Sequence, residues 1–190
     1  MFLDAENDEF HALEQSTYDF FIKNYNQQSP YLFKTYQMYR RDSLKHLVSD
    51  MNTYEHLGIK LVRGAYMHQD CGRGVLFANK QETDTAYDKA VRVVMHNMID
   101  RRAGSIKLLI ATHNNHSINK ALHLVNKFNL RQDVSFGQLL GMNETAGKML
   151  SLHHGISVYK YVPYGSIIEL APYLARRLVE NSSILQHCIL

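Results

Sequence analysis

The 190-residue chain (22.0 kDa) is 45% hydrophobic and 21% charged, enough for one substantial core, and its three prolines and ten glycines are too few for a disordered or collagenous chain. Twenty-one basic against 18 acidic residues leave a formal charge of +3, and the pairs Arg40-Arg41, Arg101-Arg102 and Arg176-Arg177 are separated by apolar segments, so no nucleic-acid partner is expected. No apolar run reaches about 18 residues, which excludes a transmembrane helix, and two distant cysteines, Cys71 and Cys188, fit a reducing compartment rather than a disulfide framework.

Met1 to Asp4 is a short apolar piece ending in an acid, the first strand candidate; Asp4, Glu6, Asp8 and Glu9 are unlike a secretory or transit leader. Phe10 to Asn26 has helical spacing, with Phe10, Leu13, Tyr18, Phe21 and Ile22 on one side and Asn24 to Pro30 as its stop. Tyr31 to Gln37 reads as a strand, Met38 to Leu57 as a helix ended by Gly58, and Ile59 to Gly64 as the next strand. A long connection, Tyr66 to Gln81, carries Gly72 and Gly74. Thr83 or Asp84 is placed to cap a helix running to Arg102. Ile106 to Ala111 is the clearest strand, with the polar run Thr112 to His116 just beyond it. Helix Ser117 to Phe128, strand Val134 to Phe136, helix Glu144 to His153, strand Ile156 to Val162 and a helix from Ile167 to Leu185 complete the pattern.

Six strand-then-helix units need parallel strands joined by right-handed crossovers. Asp4, Gln37, Arg63, Thr112 to Asn114, Gln138 and Tyr161 fall at or just after strand ends. A doubly wound sheet uses mainly the strands beside one crevice, whereas a barrel gathers residues from nearly every strand. The expected fold is therefore α/β, a (β/α)8 TIM-like barrel. It is incomplete, with about six of the eight units present and the N-terminal strands missing. Residues 1–190 are read as one domain, the C-terminal portion of that barrel.

Lys60 and Arg63 lie three residues apart in an apolar strand and so on opposite pleat faces. They serve either a structural ion pair with Asp4 or Glu6, or an anion or cofactor, with Gly64 and Ala65 permitting close approach. Thr112 to His116 forms a polar cofactor shell or a loop network; its His-x-x-His spacing does not make a zinc site, and no metal is expected. In the last helix Tyr173, Arg176, Arg177 and Glu180 share one side, either as an exposed Arg-Glu lattice or as a clamp for a carboxylate.

Five ordered motifs, LVRGAY at 61–66, THN at 112–114, FGQLLGM at 136–142, YVPYG at 161–165 and YLARRLVEN at 173–181, with Asp4-Ala5-Glu6 and Gln37 upstream, resemble the proline dehydrogenase family in its eukaryotic, fungal form. The resemblance implies a flavin enzyme on a distorted (β/α)8 barrel that oxidises L-proline to Δ1-pyrroline-5-carboxylate, reduces FAD and passes the electrons to a quinone. It places such a protein at the matrix side of the mitochondrial inner membrane. By the same resemblance Gln37, Lys60, Arg63, Gly64, Ala65, Thr112, His113, Asn114 and Gln138 correspond to the flavin shell. Asp4, Tyr66, Leu139, Tyr161, Tyr173, Arg176 and Arg177 correspond to the substrate pocket, and Glu180 to the acid that fixes the two arginines. Met67 departs from the aromatic found there in bacterial members. The first two barrel strands, which carry an active-site lysine in the family, have no counterpart. The alternative expectation is a catalytically inactive fragment that binds a flavin or another anion.

Overall fold

A computed structural model describes residues 1–5 and 8–175. Two compact units, Met1–Lys160 and Tyr161–Leu190, are distinguished by their internal packing. Six strands form one sheet in the order β1-β2-β3-β4-β5-β6. They are β1 (Phe2–Leu3), β2 (Phe33–Gln37), β3 (Leu57–Val62), β4 (Ile106–Ala111), β5 (Val134–Leu139) and β6 (Val158–Tyr161). The ladders from β1 through β5 are parallel, with Thr35 beside Lys60, Lys60 beside Leu109 and Leu109 beside Ser135. Helices α1 (His11–Tyr25), α2 (Ser43–Thr53), α4 (Lys80–Ile99), α5 (Asn115–Phe128) and α6 (Glu144–Lys148) follow the strands, with the short α3 (Met67–Asp70) inside the β3–α4 connection. A π-turn, Met149–His153, continues α6, and residues 167–175 are helical.

The sheet is curled. Six strands laid flat would put the outermost pair about 24 Å apart, five spacings of about 4.8 Å. The rings of Phe2 on β1 and Tyr159 on β6 instead have centroids 6.3 Å apart. The architecture is a six-stranded parallel half-barrel, an incomplete (β/α)8 barrel.

Alternation along the strands explains the two faces. Leu57, Ile59 and Leu61 of β3, Leu108 and Ile110 of β4 and Phe136 of β5 are fully buried against Leu47 and Met51 of α2, Tyr87, Val94 and Met95 of α4, and Ala121 and Val125 of α5. Thr35, Lys60 and Leu109 share the opposite, inner face. One cation is built into the helix-side layer. Lys34 is 1% exposed, donates to Asp50 at 2.5 Å and Gln15 at 2.6 Å, and sits over the Tyr18 and Tyr36 rings. Burial, with Asp50 beside it, pushes the Tyr36 hydroxyl well above its ordinary value, so it donates to that carboxylate at 2.7 Å.

β5 runs on to Leu139 rather than ending at Phe136, α5 starts at Asn115 and β6 is confined to Val158–Tyr161; three further differences from expectation have clear local reasons. Gly58 does not end a helix. It lies inside β3, where a Cβ would meet the Leu32 carbonyl at 2.4 Å and the Phe33 ring at 2.8 Å. Helix α2 begins only at Ser43, because 38–42 form a turn tied to the β3–α4 connection by Arg41 N–H to Val75 O and Phe77 N–H to Tyr39 O. Helix α4 is capped by neither Thr83 nor Asp84. Asn79 accepts from Glu82 N–H at 2.9 Å, and the Glu82 carboxylate accepts from Ala78 N–H at 3.1 Å.

Candidate active site

In a parallel sheet all strands end on the same side, and in barrels that side holds the reacting groups. Asp4 follows β1, Gln37 ends β2, Arg63 to Tyr66 follow β3, Thr112 to Asn114 follow β4, Leu139 ends β5 and Tyr161 ends β6. Arg176, Arg177 and Glu180, and the expected helix from Ile167 to Leu185 past residue 175, lie outside the described residues.

On the inner face Lys60 pairs with Asp4, and Thr35 Oγ1 donates to the same carboxylate at 3.3 Å. The ion pair with Asp4 is one of the two roles the sequence left open for the basic pair. Lys60 Nζ also stands 5.8 Å from the Phe2 ring centre. Arg63 turns the other way, as three-residue spacing requires. Its Nε donates to Asp84 at 2.5 Å, Nη1 to Thr112 at 2.7 Å and Nη2 to Ser117 at 2.9 Å, while its guanidinium carbon lies 4.3 Å from the Tyr87 ring centre. Burial alone would raise the Asp84 carboxyl; hydrogen bonds from Lys80 and Arg63 outweigh that and hold it below its ordinary value. As partners of Arg63, Asp84, Tyr87 and Ser117 gave no sign in the sequence, because each sits on a helix and meets Arg63 only across the fold.

Gly64 has φ +124°, and a Cβ there would fall 1.6 Å from the Tyr39 ring. The close approach it permits is therefore that of Tyr39, whose hydroxyl donates to buried Asp70 at 2.7 Å. Ala65 N–H donates to Gln37 Oε1 at 3.4 Å, joining the ends of β2 and β3. Tyr66 precedes α3 directly.

Thr112 and Asn114 do local work. Thr112 Oγ1 accepts from Asn114 N–H at 3.1 Å, and Asn114 Oδ1 caps α5 by accepting from Ser117 N–H at 3.1 Å. His113 is different. Its Nε2 accepts from Leu139 N–H at 3.2 Å, so a neutral ring carries its proton on Nδ1. Nδ1 is buried and has no hydrogen-bond partner among the described residues. Burial, then the charge of Lys160, lowers the imidazole from its ordinary value; Glu144 opposes this more weakly. Gln138 lies on the helix side of β5, on the face of Val134 and Phe136. Its Oε1 accepts from Lys160 at 2.9 Å, and its Nε2 is a second buried donor without a partner among the described residues. Gly147 on α6 makes room for this pair, since a Cβ would stand 2.7 Å from Gln138 Oε1. In the second unit the rings of Tyr161 and Tyr173 have centroids 5.5 Å apart.

Two buried donors left without acceptors at neighbouring strand ends are costly unless a ligand or an ordered water satisfies them. A flavin ring system offers carbonyl and ring-nitrogen acceptors, so the donor set fits such a group. Among the described residues no helix is long and apolar enough to cross a membrane.

The family described as "Proline dehydrogenase" matches residues 1–188. "Proline dehydrogenase 1, mitochondrial" of Homo sapiens is 32% identical over 200 aligned residues, covering 98% of this chain and 33% of that protein. "Hydroxyproline dehydrogenase" of Xenopus laevis is 34% identical over 175 residues, covering 85% of this chain and 37% of its own. The crystal structure of proline utilization A from Bdellovibrio bacteriovorus, inactivated by N-propargylglycine, superposes with a TM-score of 0.83 at 25% identity, over 95% of this chain and 20% of that one. The chain thus spans about a third of the length of these curated relatives. With almost its whole length matched and the curled parallel sheet shared, the chain belongs to the proline dehydrogenase family.

Proposed function

We propose that this chain is the C-terminal portion, as one domain over 1–190, of a eukaryotic, fungal-type FAD-dependent enzyme that oxidises L-proline to Δ1-pyrroline-5-carboxylate and passes the electrons to a quinone. The observation that carries the reading is the pair of unsatisfied donors, His113 Nδ1 and Gln138 Nε2, at the strand ends of a barrel whose family is proline dehydrogenase. Bound FAD supplies the hydride acceptor. His113 and Gln138 would donate to it, and Gln37, Lys60, Arg63, Gly64, Ala65, Thr112 and Asn114 would line its cradle. In that role Arg63, Thr112 and Asn114 mainly hold the walls, since their side chains are already engaged with one another or with helices.

Arg176 and Arg177 would bind the proline carboxylate through paired hydrogen bonds, with Glu180 fixing them. Tyr66, Leu139, Tyr161 and Tyr173 would shape the pocket for the ring and exclude water. Asp4, neutralised in part by Lys60, would set the polarity around the amine. The protein's contribution is orientation and electrostatics. A mitochondrial location is supported by the names of the relatives from Homo sapiens, Bos taurus, Dictyostelium discoideum and Drosophila melanogaster, and a place at the surface of the inner membrane would bring the protein to a quinone.

Replacing Arg176 by Met in the full-length protein raises the KM for proline by about 100-fold or more if it clamps the carboxylate. An unchanged KM removes the substrate assignment. A second reading, a flavin-binding fragment without turnover, is favoured by the two outer strands of the half-barrel, each with one sheet neighbour. Bound flavin that proline does not reduce would support it.

A further inference from the structure

We propose that His11, Asp42 and His46 form a three-ligand site for a divalent transition-metal ion, with Zn2+ as the probe, which ties the start of α1 to the start of α2. His11 opens α1, Asp42 immediately precedes α2, and His46 stands one turn further along that helix. One donor atom from each lies within 4.8 Å of the others. His46 Nε2 is 3.7 Å from Asp42 Oδ2, and the two imidazole rings meet edge to face at 5.5 Å between centroids. A separation of 3.7 Å is too long for a hydrogen bond. It is close to the roughly 3.3 Å between donor atoms that share a tetrahedral zinc with bonds of about 2.0 to 2.1 Å. A small side-chain rotation closes the remainder. Two imidazoles with one carboxylate are a common set for zinc and other first-row ions, and three protein ligands leave a fourth position for water.

The electrostatics favour a cation despite a neighbouring guanidinium. Arg40 donates Nε to Asp42 Oδ1 at 3.1 Å and Nη2 to Oδ2 at 3.0 Å, and its Nη1 lies 4.0 Å from Asp70. Arg40 is thus shared between Asp42 and Asp70 and is not the partner of Asp42 alone. Burial alone would raise the Asp42 carboxyl, but the hydrogen bonds and charge of Arg40 outweigh this and hold it low. Each carboxylate oxygen has a second lone pair free for metal, and Arg40 serves as the outer partner that fixes ligand orientation. The side chains of His46 and Asp42 are 43% and 39% exposed, so an ion has an entry path.

The site is separate from the proposed flavin cradle and does not depend on that reading. Its location suggests its work: it staples the β1–α1 connection, which begins at Asp4, to the β2–α2 connection, which begins after Gln37. The ligands are 31 and four residues apart, a spacing that matches no sequence motif for zinc.

The test is metal analysis of the intact protein after chelation and dialysis against micromolar Zn2+. One Zn2+ per chain is expected, with Co2+ giving the visible bands of a tetrahedral site. His46→Asn and His11→Asn should each weaken binding by more than about 100-fold, beyond the roughly 10- to 100-fold cost of losing an outer partner. The exposed His123→Asn should leave it unchanged. In a longer form that supplies two further N-terminal strands, Zn2+ should raise the thermal midpoint of the unaltered protein but not of the two variants, whose metal-free midpoints report that they still fold. Equal Zn2+ binding by the unaltered protein and both variants, or no stoichiometric binding at all, overturns the proposal.

Discussion

Arg63 shows how much one side chain can be asked to hold. It binds Asp84 of α4 and Ser117 of α5, reaches Thr112 after β4, and lies on the Tyr87 ring. Breaking a buried ion pair costs about 3 to 5 kcal/mol because the partner charge is stranded. Arg63 and Asp84 keep 22% and 27% of their side chains in water, so Arg63→Met should cost less, about 2 to 4 kcal/mol, read as a drop in the urea unfolding midpoint of a longer form with two further N-terminal strands. A loss below about 0.5 kcal/mol would return the arginine to a purely ligand-directed role. His113 supplies a pH test. Its folded-state value is depressed by burial, whereas the unfolded ring takes up a proton near pH 6.5. Below that pH the unfolded state therefore binds more protons, and stability falls as pH drops from about 6.5 toward the folded value. His113→Asn should flatten this part of the profile between about pH 7.5 and pH 5.5; an unchanged slope would show that the ring is not held neutral.

At the scale of elements, backbone geometry sets the sharpest requirement at Gly64. Any side chain there meets the Tyr39 ring and must also adopt φ +124°. Gly64→Ala should destabilise by about 3 kcal/mol or more, summing strain and overpacking, and thermal unfolding would show it. Asn79→Ala should cost about 1 kcal/mol through loss of the α4 cap, visible as faster amide exchange at Glu82. These two positions also mark what the sequence could and could not say. Ile106 to Ala111 is legible as a strand because a short apolar run, interrupted only by Lys107, between Gly104 and a polar loop has few other solutions. The opposite facings of Lys60 and Arg63 follow from pleat parity alone, whereas the choice of Asp4 as the partner of Lys60, from the roles the sequence left open, comes from the β1–β2–β3 register. Gly58 and the α4 cap depart from the sequence reading because Phe33, distant in sequence, packs over Gly58, and because the connection before α4 is shorter than expected, so the helix starts about one turn early and Asn79 caps it. Lys34 gave no signal, since a lysine between Phe33 and Thr35 looks solvent-facing until Asp50, Gln15 and two tyrosine rings converge on it.

For the whole molecule the decisive feature is a curled parallel sheet with β1 at one end of the strand order and β6 at the other. Among the described residues Phe2, Tyr159 and Tyr161 near those ends keep 40% to 54% of their surface exposed. A large apolar side chain left uncovered forfeits roughly 1.5 to 3 kcal/mol, and a whole domain has only about 5 to 15 kcal/mol of stability. The 190-residue chain produced by itself should therefore unfold without a cooperative transition, whereas a longer form supplying two further N-terminal strands should unfold cooperatively. Sharp two-state melting of the short form would refute this. The most direct test of the functional reading is absorbance at about 450 nm, the band of an oxidised flavin, recorded on the purified longer form before and after L-proline under anaerobic conditions. Stoichiometric flavin whose absorbance is bleached by L-proline is the expected result; a protein that binds no flavin, or holds one that L-proline leaves oxidised, would contradict it.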